Sequence, residues 1–238
     1  DNACCVASGV AAINVALLAF LQAGDHILVS DGVYDPTRSF CDGFLGRFGV
    51  TTTYFPPAIS APDLDLLFQD STKILFLESP SSLTFELHDF KALADTARAR
   101  GAIVIADNTW GPTLFRPLDH GAHVTINAGT KYISGHSDAM MGLIGTSKAV
   151  YRRVKKSVQE LGCPPGPDDC YLVLRGMRSL GVRLPYHGAS ALEIARWLEG
   201  RGEVIRVMHP GLPSHPQHEI WARDFTGAAG VVLFQLSE

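Results

Sequence analysis

The sequence predicts an α/β fold with a mostly parallel sheet that is covered by helices on both faces. Short apolar runs of strand length recur along the chain, and they lack the polar alternation of a half-exposed strand. Helical patterns separate these runs. Strands that are apolar on both faces are typical of parallel sheets, because the crossover connections place helices on each side.

The first predicted element is a buried helix. Ser8 is a good N-cap residue, the run after it is apolar nearly all round to Leu21, and Gly24 stands where a C-cap glycine belongs. A second helix is predicted to begin at Asp35, whose following proline suits a first turn, and a third over residues 89–100. The predicted strands are residues 27–30, 50–55, 74–77, 102–106, 123–126 and 143–146.

The sequence of the last part of the chain predicts a second, smaller structural domain. Residues 162–167 are rich in Gly and Pro, which indicates a linker or loop. The elements predicted after it are helices from Asp168 and over 189–198, and strands of a second sheet over 204–208 and 231–236. We expect residues 1–185 to form a large domain, and residues 186–238 to form a linking helix and the start of a smaller α/β domain.

Both ends of the chain fall next to or within predicted elements. The chain starts at Asp1 without a methionine, directly before the first helix, and it ends in the last predicted strand. We therefore expect it to be an internal piece of a longer polypeptide.

The composition excludes several classes of protein. Hydrophobic residues make up 46% and charged residues 18% of the 238 residues, which excludes a disordered or fibrous chain. The net charge of −4 and the lack of a basic run argue against nucleic-acid binding. No apolar stretch reaches about 18 residues, so a membrane span is not expected.

The cysteines indicate a reducing compartment. They are odd in number and irregularly spaced, so we expect them to stay reduced and to pack as small apolar residues in a cytoplasmic protein. The five are Cys4, Cys5, Cys41, Cys163 and Cys170.

Polar residues come just past the ends of two of the predicted strands, where a parallel sheet binds its ligands. Asp107 follows the strand at 102–106, either as a capping residue or as a functional carboxylate. Lys131 follows the strand at 123–126, either in solvent or in a dry cleft where it would be a nucleophile. Thr130 beside it offers a hydroxyl group to an anion.

Two further features complete a candidate site. The start of the first helix at Ser8, Gly9 and Val10 offers free N–H groups to a phosphate, although a plain N-cap is the commoner use of this pattern. Tyr34 is either a core aromatic residue or a flat platform for a ring. Pyridoxal 5'-phosphate would use all of these groups, since it needs a lysine, a carboxylate for its ring nitrogen, a phosphate site and a stacking surface.

On these residues the chain resembles the pyridoxal-phosphate-dependent enzymes of cysteine and methionine metabolism, the trans-sulfuration family. The matching runs are AGDHILV (23–29), FLESP (76–80), DNTW (107–110), GTKYISGHSD (129–138), RGMRSLGVR (175–183) and RDFTG (223–227). The resemblance covers the chain nearly from end to end, and the lysine-bearing run is its most specific part.

The resemblance implies a fold-type-I pyridoxal-phosphate-dependent transferase fold, with the cofactor in the large domain. It implies a homotetramer in which paired subunits share active sites. By the family pattern Lys131 forms the Schiff base, Asp107 holds the ring nitrogen and Tyr34 stacks on the ring. Gly9 and Val10 would bind the phosphate, and Thr130 would add its hydroxyl group.

Within the family the chain resembles the branch that cleaves the β-carbon–sulfur bond of cystathionine, an amino-acid thioether, to homocysteine, pyruvate and ammonia in methionine biosynthesis. Relatives that act on the γ-carbon commonly carry Ser at the position of Ala128 and Asn-Pro at Ser82 and Leu83. These departures, with Trp110, favour β-elimination. A γ-lyase, γ-synthase or methionine γ-lyase activity is the alternative.

Other interpretations have less support. A dinucleotide oxidoreductase would need a G-x-G-x-x-G turn after its first strand, which the sequence lacks. A non-catalytic domain of the same fold stays open. No metal site is expected at His120, His123, His136 and Asp138, because their spacing fits no zinc pattern. We expect a solvated loop at His209, His215 and His218, and at most a loop-orienting role for Glu78.

Overall fold

The computed structural model describes residues 2–237 and contains one large sheet. Its strands are β1 (Asn2–Val6), β2 (His26–Ser30), β3 (Thr51–Phe55), β4 (Thr72–Glu78), β5 (Ile103–Asp107), β6 (Val124–Ala128) and β7 (Gly142–Thr146). The order in the sheet is β1-β7-β6-β5-β4-β2-β3. Strands β2 to β6 are parallel to their neighbours among themselves, whereas β7 is antiparallel to both β6 and β1. The predicted mostly parallel sheet is therefore confirmed.

Helices cover both faces of this sheet, as predicted. The helices are α1 (Gly9–Leu18), α2 (Asp35–Ser39), α3 (Ala61–Leu66), α4 (Phe90–Ala99), α5 (Tyr151–Leu161), α6 (Pro167–Glu199) and α7 (His218–Asp224). Helix α2 continues as a π-helix over Phe40–Leu45, and a short 3-10 helix spans Pro117–His120.

Alternate residues of the central strands enter two different cores. On β4, Leu75 and Leu77 pack with α4 and part of α6, whereas Ile74 and Phe76 pack with α1. All four side chains are fully buried. This two-sided burial explains why the strands are continuously apolar in the sequence.

Helix α6 is one uninterrupted element, which corrects the expectation of two shorter helical stretches. It has 33 residues and passes through Pro185. Pro185 has no N–H group, so the carbonyl group of Gly181 lacks its usual helical hydrogen bond. Both residues lie on the exposed side of the helix. Water can therefore serve that carbonyl group. The boundary expected between residues 185 and 186 lies inside this helix.

Strand β1 is an addition to the predicted elements. Its residues pair antiparallel with β7, from Asn2 opposite Thr146 to Val6 opposite Gly142. The strand is at the edge of the sheet and only Val6 is buried, and its apolar residues 3–6 are the small ACCV in place of the larger Ile, Leu and Phe of the central strands. A short edge strand of this kind gives no strong signal.

The last residues form the predicted small sheet, in which β8 (Val204–Met208) pairs antiparallel with β9 (Leu233–Leu236). The segment between them corrects one expectation, because it is not a solvated loop. His209 and His215 are buried, with His209 packed near the ring of Trp110, and His218 begins α7. Among the described helices, none has the length and apolar character needed to cross a membrane.

The cysteines of the described residues form no disulfide bond. All five thiols are free, and Cys41 is buried as expected, but Cys5 and Cys170 are exposed. Over residues 2–237 no three His, Cys, Asp or Glu side chains come together as a metal site would require.

Candidate active site

A cavity of about 570 Å³ lies at the carboxyl ends of β4, β5 and β6, beside the start of α1. This is the edge of a parallel sheet where ligands bind. The predicted site residues that line it are Ser8, Gly9, Val10, Tyr34, Asp107, Thr130 and Lys131. The structure thus brings every one of these side chains or backbone segments to a single cavity.

The start of α1 points free backbone N–H groups at this cavity. The Oγ of Ser8 accepts a hydrogen bond from the N–H of Ala11 at 3.0 Å, so Ser8 is the N-cap. The N–H groups of Gly9 and Val10 lie in the first turn, where a helix offers no carbonyl partner of its own. A Cβ atom at Gly9 would lie 2.9 Å from the Cβ of Ala128, so glycine lets the helix start pack against the end of β6.

Asp107 is a buried carboxylate without a counter-charge among the described residues. It is the last residue of β5, is 7% exposed, and accepts a hydrogen bond through Oδ1 from the N–H of Thr109 at 2.9 Å. No ion pair to it occurs within residues 2–237. Burial raises the pKa of Asp107, while the contacts with Thr109 lower it. A cationic group brought into the cavity would relieve this cost.

Glu78 lies beside Asp107 and forms with it what we call the acidic pair. The two residues are register partners at the ends of the adjacent strands β4 and β5. Burial raises the pKa of Glu78, and the neighbouring Asp107 raises it further. Its Oε2 accepts the N–H of Tyr34 at 2.8 Å, and its Oε1 accepts the hydroxyl group of Ser82. Glu78 therefore holds two segments of the cavity rim.

Lys131 is carried on a turn, residues 128–135, that we call the lysine turn. The turn follows β6 and is closed by its own hydrogen bonds, from Ser134 N to Gly129 O at 2.9 Å and from Gly135 N to Lys131 O at 2.8 Å. Lys131 lines both this cavity and a second one of about 480 Å³ that also contacts Trp110. Its side chain thus stands between the two cavities.

Two threonines fix the lysine turn to its neighbours. Thr130 Oγ1 accepts the N–H of Met141 at 3.1 Å. Thr109 Oγ1 accepts the N–H of Ala128 at 2.8 Å, while the N–H of Thr109 is bonded to Asp107. Thr109 therefore connects the carboxylate side of the cavity to the lysine side, a link that the sequence analysis missed.

Tyr34 lies at the N-terminus of α2 and its side chain is 44% exposed. It lines the cavity, so it is not the core aromatic residue that the sequence left as an alternative. Its backbone N–H bond to Glu78 holds this segment against the end of the sheet.

The donor set of the cavity fits pyridoxal 5'-phosphate. Gly9 and Val10 offer N–H groups suited to a phosphate, and Lys131 offers a primary amine suited to an aldehyde. Asp107 is an unpaired buried carboxylate, which suits a protonated ring nitrogen.

The sequence of this chain matches a known protein family and is similar to several known proteins. The family model described as Cys/Met metabolism PLP-dependent enzyme matches residues 1–238. A putative cystathionine beta-lyase of Rhizobium johnstonii is 49% identical over 233 residues, which cover 98% of this chain and 59% of that protein. The cystathionine beta-lyase MetC of Escherichia coli is 42% identical over 233 residues, which cover 97% of this chain and 59% of that protein.

A solved structure agrees with these matches. The crystal structure of metB from Corynebacterium glutamicum superimposes with a TM-score of 0.96 at 30% identity, over 100% of this chain and 62% of that chain. The chain spans about three-fifths of the length of the curated relatives it matches.

Proposed function

The chain belongs to the family of Cys/Met metabolism PLP-dependent enzymes, and from that membership we propose that the whole protein is a carbon–sulfur lyase that cleaves cystathionine by β-elimination. The observation that carries the proposal is the high identity to proteins named cystathionine beta-lyase, 49% and 42% over nearly the whole chain. Ala128 and the pair Ser82-Leu83, which depart from the γ-carbon pattern, support the same branch together with Trp110.

In this proposal each lining group has one task toward pyridoxal 5'-phosphate. Lys131 would hold the aldehyde covalently, and Asp107 would accept a hydrogen bond from the ring nitrogen. The N–H groups of Gly9 and Val10 and the hydroxyl group of Thr130 would bind the phosphate. Tyr34, exposed at the cavity, would stack on the ring.

The protein's own groups then handle the protons of the reaction. When bound, the cofactor supplies an electron sink for the α-carbon of the substrate. Asp107 keeps the ring nitrogen protonated, because a buried anion favours a neighbouring proton. The Lys131 amine, once free, takes the proton from the α-carbon and holds it at Nζ, since the lysine turn keeps it within reach. The bond between the β-carbon and sulfur would break with its electron pair on sulfur, the proton held at Nζ would pass to that sulfur to give the thiol, and water would convert the remaining three-carbon fragment to pyruvate and ammonia.

The proposal extends to the oligomeric state of the protein and to the domains of the chain. We propose a cytoplasmic homotetramer in which paired subunits share active sites. We further propose that residues 1–185 belong to the large cofactor-binding domain, and residues 186–238 to the linking helix and the start of the smaller domain.

A product assay tests the reaction. The full-length protein is incubated with pyridoxal phosphate and cystathionine, and the keto acid is identified. Pyruvate with homocysteine is the expected result. 2-Oxobutyrate with cysteine would instead establish the γ-cleaving alternative and refute β-elimination, while the assignments of Lys131 and Asp107 would stand.

A further inference from the structure

The lysine turn ends in carbonyl groups that a single side chain from α6 binds. The guanidinium group of Arg183 donates from Nη1 to Tyr132 O at 2.9 Å and from Nη2 to Ile133 O at 3.3 Å. These carbonyl groups directly follow Lys131, at the carboxyl end of the turn, where a helical turn leaves its acceptors unpaired.

Arg183 is itself held in place by its own helix. Its Nε donates to Ser179 Oγ at 2.9 Å, and its Nη2 donates to Gly176 O at 2.9 Å. Among the described residues no carboxylate pairs with it. The planar guanidinium group therefore donates its hydrogen bonds to carbonyl and hydroxyl oxygens. The single ammonium group of a lysine cannot reproduce this arrangement.

Two glycines permit this close contact. A Cβ atom at Gly135 would lie 2.0 Å from Arg183 Nη1, and Gly135 also has a φ of +71°. A Cβ atom at Gly176 would lie 2.2 Å from Ser134 O. The lysine turn thus rests directly on the backbone of α6, with the guanidinium group closing the contact.

A second contact holds the same turn from the last part of the chain. The hydroxyl oxygen of Tyr132 accepts the N–H of Gly230 at 2.8 Å. The residue next to Lys131 is therefore tied to the segment that leads into β9.

We propose that Arg183 is a positioning residue for Lys131, holding the lysine turn from helix α6 so that the amine stays at the reacting centre. The inference rests on the proposed role of Lys131 as the attachment lysine. Loss of the guanidinium group would leave the turn's last carbonyl groups unpaired and let the turn shift. A displacement of about 1 Å at a catalytic group costs roughly a hundredfold in rate.

The test uses the full-length protein with Arg183→Ala and Arg183→Lys. In the apo-protein, hydrogen–deuterium exchange of a peptide covering residues 129–136 should become at least about tenfold faster in Arg183→Ala and less so in Arg183→Lys. In the cofactor-loaded protein, kcat for cystathionine should fall roughly thirtyfold to a hundredfold, with KM within about threefold of wild type.

Arg178→Ala is the matched control, since Arg178 is an exposed arginine on the same helix and makes no hydrogen bond within the described part of the chain. Its exchange over residues 129–136 should equal that of wild type. Wild-type exchange together with wild-type kcat in a folded Arg183 variant would overturn the proposal. Should Arg183→Ala fail to fold, Arg183→Lys decides by the same two measurements.

The two proposals fail in different ways. A wild-type protein that binds the cofactor but yields no keto acid would refute the proposed reaction, whereas the exchange result and the rate of covalent cofactor attachment would still decide the role of Arg183.

Discussion

The two sides of the cavity are built by different means. The carboxylate side is part of the sheet, since Asp107 and Glu78 end adjacent strands and are fixed by strand register. The lysine side is a turn outside the sheet, held by α6 and by the segment near Gly230. Thr109 connects the two sides, because its N–H donates to Asp107 and its hydroxyl oxygen accepts the N–H of Ala128.

Because the two sides are fixed in different ways, substitutions on the carboxylate side should act mainly through charge, and substitutions on the lysine side mainly through position. Groups in the sheet are rigid because every neighbouring strand fixes them, so changes there should alter charge and proton affinity while leaving geometry intact. Groups on the lysine turn depend on a few directed contacts, so changes there should alter position.

The largest effect is expected on the lysine side. Lys131→Ala removes the amine that we propose binds the cofactor and takes the α-proton, so kcat for cystathionine should fall by at least about a thousandfold. Borohydride reduction followed by peptide mass analysis should find no labelled residue, whereas wild type should be labelled at Lys131. Labelling elsewhere in wild type would contradict the assignment.

The second-largest effect is expected on the carboxylate side, from a substitution that removes a charge without changing the shape of the side chain. Asp107→Asn keeps the side-chain shape but removes the charge that we propose holds the ring proton, so we expect cofactor binding to persist and kcat to fall about a hundredfold. Cofactor absorbance measures the first and steady-state kinetics the second. Wild-type turnover in this variant would remove the electron-sink role of Asp107.

A smaller effect is expected at the link between the two sides. Thr109→Val removes the acceptor for the N–H of Ala128 and the side-chain hydrogen bond to Asp107, and this loss should lower kcat about tenfold, equivalent to ~1.4 kcal/mol. Thr109→Ser keeps the hydroxyl group and is the matched control, expected within about twofold of wild type. Equal losses in both variants would show that the methyl group, not the hydrogen bonds, matters.

The smallest effect concerns stability rather than rate. The folded pKa of Glu78 lies above its ordinary value of 4.5, so the folded apo-protein binds this proton more tightly than the unfolded chain does. The stability from Glu78 is thus fully present below pH 4.5 and is lost as the pH rises through the raised pKa. Glu78→Gln should therefore stabilise the apo-protein at pH 8 by about 1 kcal/mol and have little effect at pH 4.5.

Thermal unfolding of the apo-protein at both pH values measures this change. Glu160→Gln, at an exposed carboxyl group on α5, is the control and should shift neither midpoint. A destabilised Glu78→Gln at pH 8 would mean that the bonds to Tyr34 and Ser82 outweigh the buried charge.

The same division decides what the sequence could predict. The central strands and the positions of Asp107 and Lys131 were predictable, because burial on both faces leaves a continuous apolar run whose end marks the site. Arg183 was not, since an arginine on a helix is ordinarily solvated and its partner Tyr132 lies 51 residues away in sequence.

Other parts escaped prediction for related reasons. Strand β1 is a short, mostly exposed edge of small residues, and Pro185, a residue type that usually ends a helix, interrupts the helical pattern of α6 although the helix continues through it. His209 and His215 were expected in solvent, since nothing near them in the sequence indicates that their segment packs beside Trp110. The role of Glu78 on the rim depends on Tyr34, 44 residues before it.

The contact between Arg183 and the lysine turn also orders events during synthesis. The turn leaves the ribosome 51 residues ahead of the arginine that secures it. At translation speeds of about 5–20 residues per second, this delay lasts roughly 3–10 s. A nascent chain that ends before residue 183 therefore lacks the guanidinium group that we propose holds the lysine turn, and on that proposal the amine of Lys131 reaches its working position late in synthesis.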